Sequence, residues 1–203
     1  MTQYHNIKSW CRITNDKIVC DGELILHKNP EENISDFLKN IYRKSEANYP
    51  KFFKMDLLCK ASFLAAESIS KKVNLFETNT ALILSNKSSS WASDEKHVQS
   101  IYGQESTASP AVFVYTLPNI TLGEISIRHK LFSENLFLIF DKFSPETLVP
   151  YSEQLFNEKN AEKVMAGWVE ADKNNLDIFI YLIEKEGDTK HTIENVTNLY
   201  KTK

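Results

Sequence analysis

The sequence predicts an α/β fold in which a mixed, largely parallel sheet carries helices on its faces. Apolar runs short enough for strands, such as residues 80–84 and 136–140, alternate with longer segments of helical periodicity. These runs are apolar at nearly every position, which is typical of strands buried on both faces of a parallel sheet. With 203 residues and 42% hydrophobic content, the chain can bury a substantial core. We therefore expect a single domain over residues 1–203.

The N-terminal part is predicted to hold two strands and two helices. Residues 7–13 and 18–26 are apolar enough for strands. The Asn-Pro pair at residues 29–30, followed by two carboxylates, indicates the start of a short helix. The clearest helix covers residues 56–72. Its apolar and small side chains recur every four residues, at Leu57, Ala61, Ala65 and Ile69.

The middle of the chain begins with the predicted strand 80–84. The polar loop 86–91 has no glycine and is not followed by a Gly-Lys-Ser/Thr motif, so it does not resemble a phosphate-binding loop. Helices are expected over residues 94–102 and 118–130. Within the second helix, Gly123 would allow another backbone to approach closely.

The most informative segment is the turn after the predicted strand 136–140. Ser144 is a natural N-cap and Pro145 suits the first helical position, so a helix should begin here. Enzymes of the α/β class commonly present a nucleophile on such a strand–turn–helix unit. The turn itself, residues 141–143, reads Asp-Lys-Phe and contains no cysteine. The turn therefore has the form of a catalytic elbow without the nucleophile.

Two strands and a helix complete the predicted fold. Residues 164–169 and 176–183 are apolar, and the polar tetrad 172–175 between them suits a hairpin turn. A final helix is expected over residues 192–200.

Composition limits the possible partners and the compartment. A net charge of −3 and a pI near 6.0 give no reason to expect a nucleic acid partner. No apolar segment approaches the roughly 20 residues of a membrane span. The first residues lack the pattern of a signal peptide. The three cysteines, Cys11, Cys20 and Cys59, are odd in number and widely spaced, so we expect reduced thiols and a cytoplasmic protein.

Motifs that would hold a metal or a cofactor are not found in the sequence. None of the five histidines lies within four residues of another histidine or of a cysteine, and no Gly-x-Ser-x-Gly or Gly-x-Gly-x-x-Gly motif occurs. We therefore expect neither a metal nor a cofactor. Four glutamates are potential acid/base groups, but the sequence pairs none of them with a partner, so solvated or capping roles are expected: Glu67, Glu77, Glu105 and Glu124.

Three segments together resemble one family. Residues 109–119, which read Ser-Pro-Ala-Val-Phe-Val-Tyr-Thr-Leu-Pro-Asn, are similar to the stretch that precedes the nucleophile strand in β-ketoacyl synthases. Residues 135–155 resemble the nucleophile strand, its elbow and the following helix. Residues 164–170 resemble the next strand. The chain thus looks like the N-terminal domain of the β-ketoacyl synthase-like family in the thiolase-like superfamily, particularly the subgroup associated with aryl-polyene and flexirubin-type pigment clusters.

The resemblance implies half of a thiolase-like fold and a missing nucleophile. The family's cysteine would fall at Lys142 or one position either side, and a lysine cannot form the acyl thioester that condensation needs. The family's two catalytic histidines lie in its C-terminal half, outside the matched portion. The resemblance therefore implies a catalytically inactive subunit or scaffold in fatty-acid-like or polyene assembly. Its partner would be an active ketosynthase, in a homo- or hetero-oligomer, and possibly an acyl carrier protein.

Two alternatives stay open at this point. In the first, an enzyme of the same fold uses Lys142 or Asp141 for non-condensing chemistry on an acyl thioester. In the second, the chain is a general α/β binding domain and the resemblance is accidental.

A subunit interface is expected at residues 113–119. On an extended stretch, Phe113, Tyr115 and Leu117 would share one face, and Pro118 and Asn119 would continue it. The alternative is that these side chains fill the domain's own core. In half of a thiolase-like fold, the helices beginning near Asp56 and Ser144 should also leave an apolar face uncovered.

Overall fold

One sheet of eight strands runs through the computed structural model, which describes residues 5–103 and 108–202. The strand order is β3-β2-β1-β7-β6-β4-β5, and the short strand β8 pairs with β1. The strands are β1 (Asn6–Thr14), β2 (Lys17–Cys20), β3 (Glu23–His27), β4 (Thr80–Asn86), β5 (Asn135–Ile139), β6 (Lys163–Ala171), β7 (Leu176–Glu184) and β8 (Thr189–Lys190).

Seven α-helices accompany this sheet in the described ranges, together with two 3-10 turns at Pro50–Lys54 and Val114–Thr116. The helices are α1 (Ile34–Ser45), α2 (Leu57–Ser70), α3 (Trp91–Tyr102), α4 (Pro110–Phe113), α5 (Ile120–His129), α6 (Pro145–Asn157) and α7 (Ile193–Lys201). Within those ranges, no helix is both long enough and apolar enough to cross a bilayer.

The sheet is mixed, as predicted. Strand β4 pairs in parallel with β5 and β6, whereas β6-β7-β1-β2-β3 is antiparallel throughout. The antiparallel portion is larger than the apolar strands suggested, because β6 and β7 form the hairpin expected at residues 172–175. The Asp172 carboxylate accepts the N–H groups of Asn174 and Asn175 and closes this hairpin.

The sheet is covered on both faces, so the domain has three layers. Helices α1, α2 and α5 pack on one face, and α6 and α7 pack on the other. Alternate side chains of each central strand enter the two cores. In β4, for example, Leu82 and Leu84 face α2, while Ala81 and Ile83 face the α6 side.

Helix α2 lies between the sheet and the helices α1 and α5. Its alanines Ala61 and Ala65 are fully buried, and small side chains let the neighbouring elements approach closely. Helix α6 buries Leu148 and Leu155 and exposes polar side chains. The expectation that these two helices leave an apolar face uncovered is therefore wrong, because this chain supplies their cover itself.

Two N-terminal expectations also need correction. Residues 18–26 are not one strand but the hairpin β2–β3, because Asp21 and Gly22 take positive φ values of 52° and 82°. Asp-Gly is a preferred pair for the mirror-image turn that closes two-residue hairpins. Helix α1 begins at Ile34 rather than near residue 30, because Asn33 is its N-cap and accepts the Asp36 N–H.

Strand β5 forms one edge of the sheet. It pairs with β4 on one side, and Ile139 is 52% exposed. The expectation that residues 136–140 are buried on both faces is wrong, since Leu136, Phe137 and Leu138 are only half-buried. An apolar run does not distinguish an edge strand from a central one. Because β5 is an edge strand, its outer backbone N–H and C=O groups have no partner strand among the described residues, and they lie beside apolar side chains.

Candidate functional site

The predicted strand–turn–helix unit is present. Strand β5 ends at Ile139 and α6 begins at Pro145, with Ser144 at the N-cap position. The carbonyl of Ser144 accepts the Thr147 and Leu148 N–H groups, while its hydroxyl lies 3.0 Å from that of Thr147. Ser144 therefore begins the helix through its main chain, and its side chain bonds to a neighbouring hydroxyl instead of capping a backbone N–H.

Of the three side chains in the turn, one is buried and two are charged and exposed. Phe143 is buried, with ring centroids 5.6 Å from Phe179 and 4.5 Å from Tyr200. Asp141 and Lys142 are exposed. Across the described residues, no ion pair joins Lys142 to Asp141 or to any other carboxylate. The packed aromatic ring fixes the turn and leaves the lysine in solvent.

The loop after β4 lies beside this turn. The Phe140 N–H donates to the Asn86 carbonyl at 2.9 Å, which connects the carboxyl ends of β4 and β5. The Glu170 carboxylate, near the end of β6, accepts the Lys87 and Ser88 N–H groups at 2.8 and 3.1 Å. In open α/β sheets this edge is where ligands usually bind. Here an internal carboxylate already takes the N–H groups that an anion would need.

The cavity at this edge is small. It measures about 40 Å³ and is lined by Asp56, Ser90, Ser93 and Glu170, among others. By the volume that one probe-sized water needs, this is room for roughly three water molecules. The Asp56 carboxylate accepts the Ser93 hydroxyl at 2.6 Å and the Cys59 N–H at 2.8 Å. An acyl chain would not fit in this cavity, but an open depression of about 300 Å³ adjoins it, lined by Leu57, Trp91 and Asp172 among others.

Residues 110–116 are helical, so the predicted extended conformation of this stretch is wrong. Ser109 caps α4 by accepting the Val112 N–H, and Pro110 takes the first helical position. Phe113 and Leu117 are 55% and 51% exposed. Tyr115 lies on the other side, packs against the α2 core and donates its hydroxyl to Glu124 at 3.4 Å. Burial, with the Glu124 charge second, raises the pKa of Tyr115.

Helices α3 and α4 together present an exposed apolar surface, which we call the α3–α4 surface. On α3, Trp91, Val98 and Tyr102 recur at spacings of seven and four residues and form one stripe, with exposures of 68%, 52% and 83%. The rings of His97 and Phe113 lie 5.3 Å apart and join the two helices. The surface consists of Trp91, Val98, Tyr102, Phe113, Val114 and Leu117.

The other two residues of the predicted interface lie elsewhere. Pro118 and Asn119 line a wide surface groove of about 600 Å³ between the start of α5 and the edge strand β5. Phe137 and Asn135 form its β5 side. The predicted interface residues therefore divide among the α3–α4 surface, the core and this groove. Gly123 also lines the groove, and no atom lies within 4 Å of a Cβ built on it, so the close backbone approach expected there does not occur.

Two of the four candidate glutamates are buried and paired rather than solvated. The Glu67 carboxylate accepts Arg128 Nε at 2.6 Å and lies 3.4 Å from His129 Nε2. Glu124 is 3% exposed and lies 2.9 Å from the Lys51 ammonium. The sequence signal for Glu67 was its place inside the apolar face of a helix.

Of the remaining two glutamates, one lies within the described residues and one does not. Glu77 is exposed and pairs with Lys130, in line with a solvated role. Glu105 lies outside the described residues.

Glu153 connects two histidines that are distant in sequence. His5 and His191 each place Nδ1 2.8 Å from one of its carboxylate oxygens. Burial raises the pKa of Glu153, but the hydrogen bonds from His191 and His5 outweigh it, so the pKa lies below its ordinary value. This cluster fastens α6 to the residues that precede β1 and α7. No pattern in the sequence indicates this cluster, because its three residues come together only in the fold.

Neither a protein-family model nor a curated protein matches this chain. Solved structures do match in fold. The structure described as the ishigamide ketosynthase/chain length factor aligns with a TM-score of 0.65 and 13% identity, over 89% of this chain and 62% of that chain. A type II polyketide synthase acyl-carrier protein in complex with its ketosynthase bound to the hexaketide aligns with a TM-score of 0.65 and 12% identity, over 91% and 63%.

A third match covers nearly all of both chains. It comes from a ketosynthase in complex with its chain length factor from Xenorhabdus doucetiae, with a TM-score of 0.60 and 10% identity over 97% of this chain and 90% of that chain. At these identities the likeness shows the fold alone. The predicted fold class is confirmed: the mixed sheet with helices on both faces matches the fold of these ketosynthase and chain length factor structures. The chain spans less than two thirds of the length of the first and second of these structures.

Proposed function

We propose that this chain is a ketosynthase-like subunit that does not itself condense acyl groups and that acts beside an active ketosynthase. The observation that carries the proposal is the turn 141–143, which has the position of a nucleophile elbow and no thiol. The three cysteines, Cys11, Cys20 and Cys59, are buried in the core around α2, on the opposite face of the sheet from α6. Without a thiolate at the elbow, an acyl enzyme cannot form there.

The matched structures support a partnership of this kind. One contains a ketosynthase with its chain length factor, and another contains a ketosynthase with an acyl-carrier protein. We propose a ketosynthase as the principal partner of this chain and an acyl carrier protein as a secondary one. Fatty-acid-like or polyene assembly is the corresponding pathway class, with residues 1–203 acting as one ketosynthase-like domain.

The α3–α4 surface is the proposed contact for the ketosynthase. It carries aromatic side chains that are enriched at interface cores, including Trp91, Tyr102 and Phe113. Such side chains are rarely left in solvent as a continuous patch on a monomer. A specific interface buries about 1,200–2,000 Å² in total, so the proposed contact would include more of the chain's surface than these six side chains.

The association can be tested by light scattering after gel filtration. We expect this chain and a candidate ketosynthase from the same organism to elute as one complex at micromolar concentration. The variant Phe113→Asp should raise the dissociation constant of the complex at least tenfold, because it places a charge in an apolar contact. Leu24→Asp is a matched control, since Leu24 is similarly exposed, at 52%, but lies on β3, at the opposite edge of the sheet from β5.

The proposed contact would be refuted if Phe113→Asp keeps its fold and associates like the unmodified chain, or if a folded Leu24→Asp dissociates just as readily. Thermal melts distinguish these outcomes. Phe113 packs outside both cores, so its variant should melt within about 2 °C of the unmodified chain.

Catalysis can be tested separately. With malonyl- and acyl-carrier-protein substrates, the pure chain should form no β-ketoacyl product. Mass spectrometry after incubation with acyl thioesters should show no adduct on Lys142, because the exposed ammonium is not desolvated in an apolar pocket. β-Ketoacyl product that Lys142→Ala abolishes would overturn the proposal, whereas an acyl adduct on Lys142 without that product would favour the non-condensing alternative.

A further inference from the structure

Cys11 and Cys20 face each other across the β1–β2 pair. The register places their Cα atoms opposite one another. The next pair along, Trp10 and Asp21, is the hydrogen-bonded one, since the Asp21 N–H donates to the Trp10 carbonyl at 3.0 Å. Because the two kinds of pair alternate along an antiparallel ladder, Cys11 and Cys20 occupy a non-hydrogen-bonded site. Opposing Cα atoms are closest at such sites, about 4.5 Å apart.

This spacing suits a disulfide. Bridged cysteines have Cα atoms about 4.4–6.8 Å apart. Both side chains lie on the same face of the sheet, in the same core, and both are free thiols. A bond between them therefore needs no change in strand register.

The two thiols differ in reactivity. Burial, followed by the contact with Cys20, raises the pKa of Cys11. The contact with Cys11 lowers the pKa of Cys20. A cavity of about 100 Å³, lined by Cys20, Ser68 and the lysines Lys44 and Lys71, reaches the second thiol. That volume holds a few water molecules, and hence a small peroxide. Cys20 is itself only 1% exposed, so the cavity beside it is the route by which a small peroxide would reach its thiol.

We propose that Cys11 and Cys20 form a redox site that closes to an intramolecular disulfide when it meets a hydroperoxide. The Cys20 thiolate attacks a peroxide oxygen, the O–O bond breaks, and a sulfenic acid forms as hydroxide leaves. The Cys11 thiol loses its proton to that hydroxide and attacks the Cys20 sulfur. The S–S bond forms and the S–O bond breaks as hydroxide leaves, and this hydroxide takes up the proton that the Cys20 thiol released on ionisation to give the second water. In total two thiols are oxidised and one hydrogen peroxide is reduced to two waters.

The test uses the whole chain and hydrogen peroxide. After treatment, blocking of free thiols and trypsin digestion, we expect the peptides of residues 9–12 and 18–28 to be joined, because Arg12 and Lys17 separate the two cysteines. Their joint mass should be lower by two hydrogens, and dithiothreitol should separate them. Closing this short loop should also raise the melting temperature by roughly 5–10 °C.

Cys59 is the internal control. It is buried and hydrogen-bonded to the Thr121 hydroxyl at 3.3 Å, with no facing thiol, so its peptide should stay reduced. In Cys11→Ala the rise in melting temperature should disappear, and Cys20 should instead appear as a sulfenic acid or a mixed disulfide. The proposal fails if Cys11 and Cys20 stay free while peroxide oxidises other groups, if Cys59 reacts equally fast, or if the bridges link different molecules.

Discussion

At the scale of single residues, the buried charges around Glu67 connect two helices. Glu67 on α2 is 4% exposed and receives Arg128 and His129 from α5. A carboxylate placed this deeply is tolerated only when cations and hydrogen bonds compensate for the lost water. The guanidinium supplies both, with one bond of 2.6 Å and one of 3.2 Å. The contact fixes the position of α5, which forms one wall of the groove beside β5.

The same cluster gives stability a dependence on pH. Burial, which outweighs the attraction of Glu67, lowers the pKa of His129, so the folded state binds this proton less readily than the unfolded state. Stability from His129 is therefore present above its unfolded pKa and declines as the pH falls below about 6.5. We expect His129→Gln to reduce the slope of the unfolding free energy against pH between pH 7.5 and 5.5. The reduction should be no more than about 1.4 kcal/mol per pH unit.

Denaturant melts at several pH values measure this slope. His27→Gln is the control, because His27 is exposed on β3 and its replacement should leave the slope unchanged. An unchanged slope in His129→Gln would contradict the assignment. The measurement stays above pH 5.5, since the lowered pKa of Glu153 makes that carboxylate lose its contribution only at more acid pH.

At the scale of elements, the β6–β7 hairpin depends on Gly167. A Cβ built at this position would lie 2.1 Å from the Phe179 carbonyl oxygen and 2.9 Å from Ile180 Cα. Both are backbone atoms of the adjoining strand, so the strands would have to separate. We expect Gly167→Ala to destabilise the fold by about 2–4 kcal/mol in denaturant melts.

Gly123 provides the matched substitution. It lies inside α5, where no atom comes within 4 Å of an added Cβ. Gly123→Ala should therefore stabilise the chain by about 0.5–1 kcal/mol through helix propensity. Equal effects of the two substitutions would show that β6 and β7 are less closely packed than the structure indicates.

The elements also show what the sequence could predict. The apolar pattern of the sequence predicts helix α2 and strands β4, β6 and β7, because the apolar positions of these elements are the ones that are buried. The hairpin at Asp21-Gly22 and the helix starting at Pro110 carried recognisable signals that the longer apolar patterns outweighed. The edge position of β5 could not be predicted, since an apolar run is the same whether one neighbour or two cover it. The contacts of Glu67 with α5 likewise depend on the tertiary arrangement.

At the scale of the whole molecule, both faces of the sheet are covered by helices of this chain. The cores around α2 and α6 are closed, so the proposed partner would bind an outer surface such as the α3–α4 surface or the open edge at β5. This corrects the expectation that half of such a fold needs a partner to bury its inner helices. The elbow was predictable in position from Ser144 and Pro145. The α3–α4 surface was only partly predictable, because Phe113 lies in it while Tyr115 does not.

The position of β1 has a consequence for biosynthesis. Strand β1 is translated before the other strands of the sheet. Asn6 of β1 nevertheless pairs with Glu184 of β7, and β1 lies between β2 and β7 in the centre of the sheet. At about 5–20 residues per second, a ribosome needs roughly 10–40 s to reach β7 after it has made β1. During that time β1, β2 and β3 can pair with one another, but the apolar edge of β1 that will pair with β7 stays unpaired. Nascent chains should therefore need chaperone protection until their last central strand has been translated.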